Sequence, residues 1–132
     1  MRKPARPGGV NWYLRNKIDT AGGTPAYALA MDRGLLVGTM ENHFEQTDFS
    51  GSFGTAAIAI NDPMGNAITV FSGSVISGTT ILTGQLWSSF VGIELGGNIT
   101  ISTGTASVVG SKGITAVTAT GASCAGNIGI TC

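Results

Sequence analysis

Between Thr55 and Thr120, branched apolar residues recur at every second position in short runs, and each run is broken by glycine or by a turn cluster such as Asn61-Asp62-Pro63-Met64-Gly65-Asn66. A period of two puts successive side chains on opposite faces of a strand, so this part of the chain is committed to sheet. The alternation is cleanest across Val91-Gly92-Ile93-Glu94-Leu95-Gly96-Gly97-Asn98-Ile99-Thr100-Ile101-Ser102. Read as a hairpin with a three-residue loop, Gly96-Gly97-Asn98, this stretch pairs Leu95 with Ile99, Ile93 with Ile101 and Val91 with Thr103. One face then collects Val91, Ile93, Leu95, Ile99 and Ile101, and the other Gly92, Glu94, Thr100 and Ser102. A two-residue loop would mix both faces.

Further alternating runs sit at Ile58 and Ile60, Ile68 and Val70, Val75-Ile76, Ile81-Leu82, Val108-Val109 and Ile114 to Thr120. Many short strands at such spacing predict an all-β fold, a small antiparallel β-barrel or sandwich. No exact internal repeat is visible, so a solenoid is not expected. The length, 132 residues, suits one domain.

The sequence divides into four segments. Residues 1–20 form an extended basic docking arm: Pro4 and Pro7 oppose helix and central strand, and Arg2, Lys3, Arg6, Arg15 and Lys17 all precede the first acid, Asp19. Trp12 and Tyr13 give the arm large aromatics with which to bind a partner. Residues 21–54 form a linker and an aromatic loop. Thr24-Pro25 is placed to cap at most one short helix through Ala26–Met31, although Tyr27, Leu29 and Met31 also alternate as in a strand. Leu35-Leu36-Val37 reads as a short buried strand. Phe44, Phe49 and Phe53, among Gly and Ser, are candidate anchors for a neighbour, or cover the open end of the chain's own barrel. Residues 55–121 are the β-core, and residues 122–132 a tail bearing both cysteines. Cys124 and Cys132 are placed to close a small loop, to join neighbouring chains, or to remain reduced.

The formal charge is zero, but from Asn66 onward only Glu94 and Lys112 are charged. So neutral a surface suits contact with other subunits better than isolation in water, which predicts a homo-oligomer or other protein partners. Composition and spacing offer little chemistry. His43, flanked by Glu41 and Glu45, would share a strand face with them, yet it lacks a further metal ligand. There is no Gly-x-Ser-x-Gly elbow, no phosphate-binding loop and no selected pair of carboxylates. No catalytic, cofactor or metal residue is assigned, and an enzyme is not expected. The basic arm carries charge enough to touch phosphates, but no specific nucleic-acid readout is expected. No apolar run approaches the roughly 20 residues of a spanning helix, and no apolar segment follows the basic start, so neither a membrane nor a secretory signal is expected.

From Ile68 to Thr120 the order of features resembles the small capsid decoration, or cement, proteins of tailed bacteriophages. The matching pieces are Val75-Ile76-Ser77-Gly78, Ile81-Leu82-Thr83-Gly84 and Val91-Gly92-Ile93. The resemblance implies a non-enzymatic virion component made in the host cytoplasm. Such a component is often a trimer seated on the capsid surface, where it bridges neighbouring units of the major capsid protein. The basic arm, the aromatic loop and the cysteine tail depart from that family's pattern. A tail, collar or fibre component, and a cell-surface or glycan-binding β-module, are the competing expectations.

Overall fold

The computed structural model describes residues 9–18, 20 and 22–132, and these form strands and turns with no helix. The chain winds as a coil. Its first turn contains β1 (Val10–Leu14) and β2 (Leu29–Asp32), and its second β3 (Met40–Glu45), β4 (Asp48–Phe49) and β5 (Ile58–Asn61). The third holds β6 (Ala67–Ser72), β7 (Val75–Ile76) and β8 (Thr80–Thr83), and the fourth β9 (Gln85–Val91), β10 (Glu94–Leu95) and the start of β11 (Ile99–Val109). The rest of β11 and most of β12 (Lys112–Ala125) make the fifth turn, and the end of β12 with β13 (Ile128–Thr131) begins a sixth.

Every strand pairing among the described residues is parallel, each strand lying beside its equivalent one turn away. One ladder runs β1-β3-β6-β9-β11-β12, and the sheet curls back through β10-β7-β4. A third side stacks β2, β5, β8 and β11. The antiparallel barrel or sandwich expected from the sequence is therefore incorrect, and so is the exclusion of a coil. Alternation specifies which side of a strand faces inward, but not which strand lies beside it.

The hairpin shows the distinction. Leu95 lies beside Ile76 and Gly113, and Ile99 beside Thr80 and Val117, so the two halves of the stretch pair with other turns and not with each other. Gly96-Gly97-Asn98 is a corner. The facing is nevertheless largely as expected: Ile93, Leu95, Ile99 and Ile101 are buried while Gly92, Glu94, Thr100 and Ser102 are exposed. Val91 is the exception, pointing outward from the end of β9. Two further expectations fail. The segment Ala26–Met31 contains no helix and leads into strand β2, whose Leu29 and Met31 point inward. Leu35-Leu36-Val37 is an exposed turn and not a buried strand.

The corner after the first ladder repeats in every turn. Arg15, Gln46, Gly73, Gly92, Gly110 and Gly126 occupy equivalent places, and all have positive φ, between 49° and 65°. At five of these corners the residue's N–H is bonded to a carbonyl of the following turn, as in Gln46 N to Ser72 O (2.8 Å) and Gly92 N to Val109 O (3.0 Å). The left-handed conformation is open to glycine without a Cβ penalty, which accounts for the glycines that punctuate the distal half. The next residue extends the stacking. Thr47 N donates to Ser74 Oγ (3.0 Å), Ile93 N to Ser111 Oγ (3.0 Å) and Ser111 N to Asn127 Oδ1 (2.9 Å). Side chains of one turn thus satisfy buried backbone donors of the turn before it.

Inside, Tyr13, Phe44, Phe71 and Phe90 stack through the first four turns with centroids 4.6, 4.9 and 5.0 Å apart and ring planes within 17°. That spacing matches the roughly 4.8 Å between hydrogen-bonded strands, so one aromatic per turn forms a continuous column. Phe49 meets Phe44 edge-on at 5.6 Å. The three phenylalanines of the column and Phe49 are essentially inaccessible. Full burial of such a side chain contributes about 1.5–3 kcal/mol, and each offset or edge-on pair adds roughly 0.5–1.5 kcal/mol. The turns shorten along the column: Tyr13 to Phe44 is 31 residues, Phe71 to Phe90 is 19, and Val108 to Cys124 is 16. This drift hides the repeat from any search for a fixed period.

Candidate functional site

The outer face of the β1-β3-β6-β9-β11 ladder gathers the largest group of exposed apolar side chains. Outward positions on β1 carry Val10, Trp12 and Leu14, with Trp12 60% exposed. Trp12 stacks on the His43 ring at 4.2 Å, 15° from parallel, as its place beside His43 in the ladder dictates. Farther along the face, Trp87 is 41% exposed, with Val91 and Val109 following on the same edge. The register between β6 and β9 slips by one residue between Ala67 and Ile68, since Ala67 faces Gln85 while Ile68 faces Trp87. The extra residue, Leu86, lies outside together with Trp87, as a bulge in one strand requires. The consecutive apolar pair Leu86-Trp87, which breaks alternation, is the sequence signal for this exposed tryptophan.

Of the expected arm residues, Arg2, Lys3 and Arg6 lie outside the described residues. Trp12 and Tyr13 belong to β1, with Trp12 outward and Tyr13 buried in the aromatic column. Arg15, exposed at the first corner, donates from Nε to Gln46 Oε1 at 3.2 Å. Lys17 forms a single parallel bridge with Asp48. The aromatic-loop residues are likewise drawn inward. Phe44 and Phe49 fill the interior, and Phe53 packs partly buried against it.

Several ionisable groups are paired in separate places. His43 Nε2 lies 3.8 Å from Glu41 Oε1, and Lys112 Nζ pairs with Glu94 Oε1 at 3.2 Å on the surface. Arg33 and Asp62 form a wholly buried pair, Nη1 to Oδ2 at 3.4 Å. Arg33 also donates to the carbonyls of Val37 and Gly38, while Asp62 accepts from the backbone N–H groups of Met64 (3.1 Å) and Asn66 (3.0 Å). The pair thus pins the exposed Leu35-Leu36-Val37 turn to the Asp62–Asn66 turn of the next coil. Among the described residues, no group of three His, Cys, Asp or Glu side chains is arranged to hold a metal ion.

Cys124 and Cys132 form a disulfide within the chain, their Cα atoms 6.5 Å apart. Cys124 lies in register with Phe90 and Val108 but is exposed in the last turn, so the bridge ties the last turn of the first ladder to the residue after β13. No described helix is long and apolar enough to cross a membrane. No protein-family model, curated protein or solved structure matches the chain.

Proposed function

We propose that this chain is a structural subunit of a tailed-bacteriophage particle, a stiff β-coil that docks on neighbouring subunits through the outer face bearing Trp12 and Trp87. The observation that carries the reading is that face: Trp12, Leu14, Leu86, Trp87, Val91 and Val109 are all well exposed on a single ladder. Tryptophan dominates the energetics of many protein interfaces, so two exposed tryptophans on one sheet face, each with exposed aliphatic neighbours, suit a docking surface. The distal half supports the same reading, because its two charges, Glu94 and Lys112, neutralise each other. A non-catalytic role is supported by the dispersal of the ionisable groups: Asp62 is bound to Arg33, and His43 lies under Trp12.

Two stations on the particle have separate support. Capsid decoration, as a cement that bridges units of the major capsid protein, rests on the likeness over residues 68–120. A tail, collar or fibre station is favoured by the coil, since a one-dimensional stack grows by adding turns and suits an elongated part. Immunogold labelling of intact particles separates the stations: gold over the head supports decoration, and gold on tail or fibres the other. The docking face is tested by the double substitution Trp12→Ala, Trp87→Ala. Occupancy on particles should fall at least tenfold with little change in unfolding, and unchanged occupancy would remove the face from the proposal. Removing residues 1–8, which leaves β1 in place, tests the basic arm separately.

A further inference from the structure

On the third side of the coil, away from the tryptophan face, β2, β5 and β8 frame an open groove of about 540 Å³, within the usual range for small-ligand sites. Its floor is small: Ala30 and Ala59 lie side by side in register, followed by Ile81. Tyr27, half-buried, also lines it. A row of three polar side chains in register, Asp32, Asn61 and Thr83, runs across the strands. The row repeats about every 4.8 Å, the separation of paired strands, which is close to the length of one pyranose ring.

We infer that this groove binds a neutral oligosaccharide. An aromatic ring beside a small-residue floor gives the apolar face of a sugar a surface to lie on, and the row of carboxylate, amide and hydroxyl presents alternating acceptors and donors to its hydroxyls. Asp32 is already positioned, since its Oδ1 accepts from Gly34 N (2.8 Å) and from Asn61 Nδ2 (3.4 Å). Its second oxygen remains to accept from a ligand. The charge sets the class of sugar. The adjacent cation, Arg33, is turned inward to Asp62 and is inaccessible, so among the described residues Asp32 is the only charged side chain lining the groove. A carboxylate without a facing cation accepts hydroxyl donors and repels acidic sugars.

The test is an array of immobilised oligosaccharides, neutral hexose and N-acetylhexosamine chains beside sialylated and uronic-acid chains, probed with the full chain. The strongest neutral binder is then titrated by calorimetry. The expected result is retention of at least one neutral saccharide, with affinity falling tenfold or more in Tyr27→Ala and in Asp32→Ala, and holding in Trp87→Ala. Circular dichroism and the thermal midpoint of each variant confirm that the coil is intact. Failure to retain any neutral saccharide at millimolar concentration, a preference for acidic chains, or binding that survives both groove substitutions overturns the inference. Loss of binding in Trp87→Ala would move the sugar to the other face and overturn it equally. Because particle occupancy reads the tryptophan face and sugar affinity reads the groove, the two proposals fail independently.

Discussion

At the residue scale, two glycines with nearly the same backbone conformation separate the effects that hold a coil corner. Gly92 has φ of 63° and open space around the place where a Cβ would lie. Gly92→Ala therefore meets only the left-handed penalty and should destabilise by about 1–2 kcal/mol. Gly84, at φ of 72°, would place a Cβ 1.6 Å from the carbonyl oxygen of Asp62. Backbone must move to admit it, so Gly84→Ala should cost clearly more than Gly92→Ala in urea unfolding. Equal losses would show that the turns are less closely stacked at Gly84 than described. Gln46 runs the comparison in reverse, since it holds φ of 49° without being glycine. Gln46→Gly should stabilise modestly, by roughly 0.5–1 kcal/mol, the strain relieved being partly offset by greater freedom in the unfolded chain and loss of the exposed Arg15 bond. In the aromatic column, Phe71→Ala removes a ring stacked on both neighbours and should cost about 3–5 kcal/mol, whereas Trp12→Ala on the surface should stay within about 1 kcal/mol.

At the scale of elements, the buried Arg33–Asp62 pair and the disulfide act at different places in the coil. Asp62→Ala leaves a buried guanidinium without its carboxylate and should destabilise by about 3–5 kcal/mol, measured by chemical unfolding. The Cys124–Cys132 bridge closes a short loop, so Cys132→Ser should cost only about 2–3 kcal/mol. Non-reducing gels should show a monomer band and no ladder, and a reductant-sensitive ladder would contradict the intrachain bridge. Much of the element pattern was legible in the sequence. Ile58 and Ile60, Ile99 and Ile101, and the turn around Asp62 stand where alternation and turn chemistry put them. Pairing was not legible, because a strand with one buried face is compatible with a hairpin or a coil. The corner signal was nonetheless present in Phe71-Ser72-Gly73, Phe90-Val91-Gly92 and Val108-Val109-Gly110. It was obscured where Arg15 and Gln46 replace the glycine and where the turns lengthen to 31 residues between Tyr13 and Phe44. The same lengthening made Phe44 and Phe49 look like loop residues, when Phe44 supplies its turn's ring to the column and Phe49 packs edge-on against it. The tryptophan face and the saccharide groove were less visible still, since each is assembled from side chains on different turns, far separated in the chain.

For the whole molecule, the central claim is that a neutral, glycine-punctuated chain winds as a parallel coil, with its exposed tryptophans on one side and a polar groove on another. Parallel and antiparallel arrangements differ in a way that nuclear Overhauser effects between backbone protons of neighbouring strands read directly. In the coil, contacts join Ser88 with Ala106, Ser89 with Ser107 and Phe90 with Val108, at a constant separation along the chain. The account predicts those three contacts, together with Thr100 to Thr118. Contacts joining Leu95 with Ile99 and Ile93 with Ile101, centred on the Gly96–Asn98 turn, would contradict it and restore the hairpin.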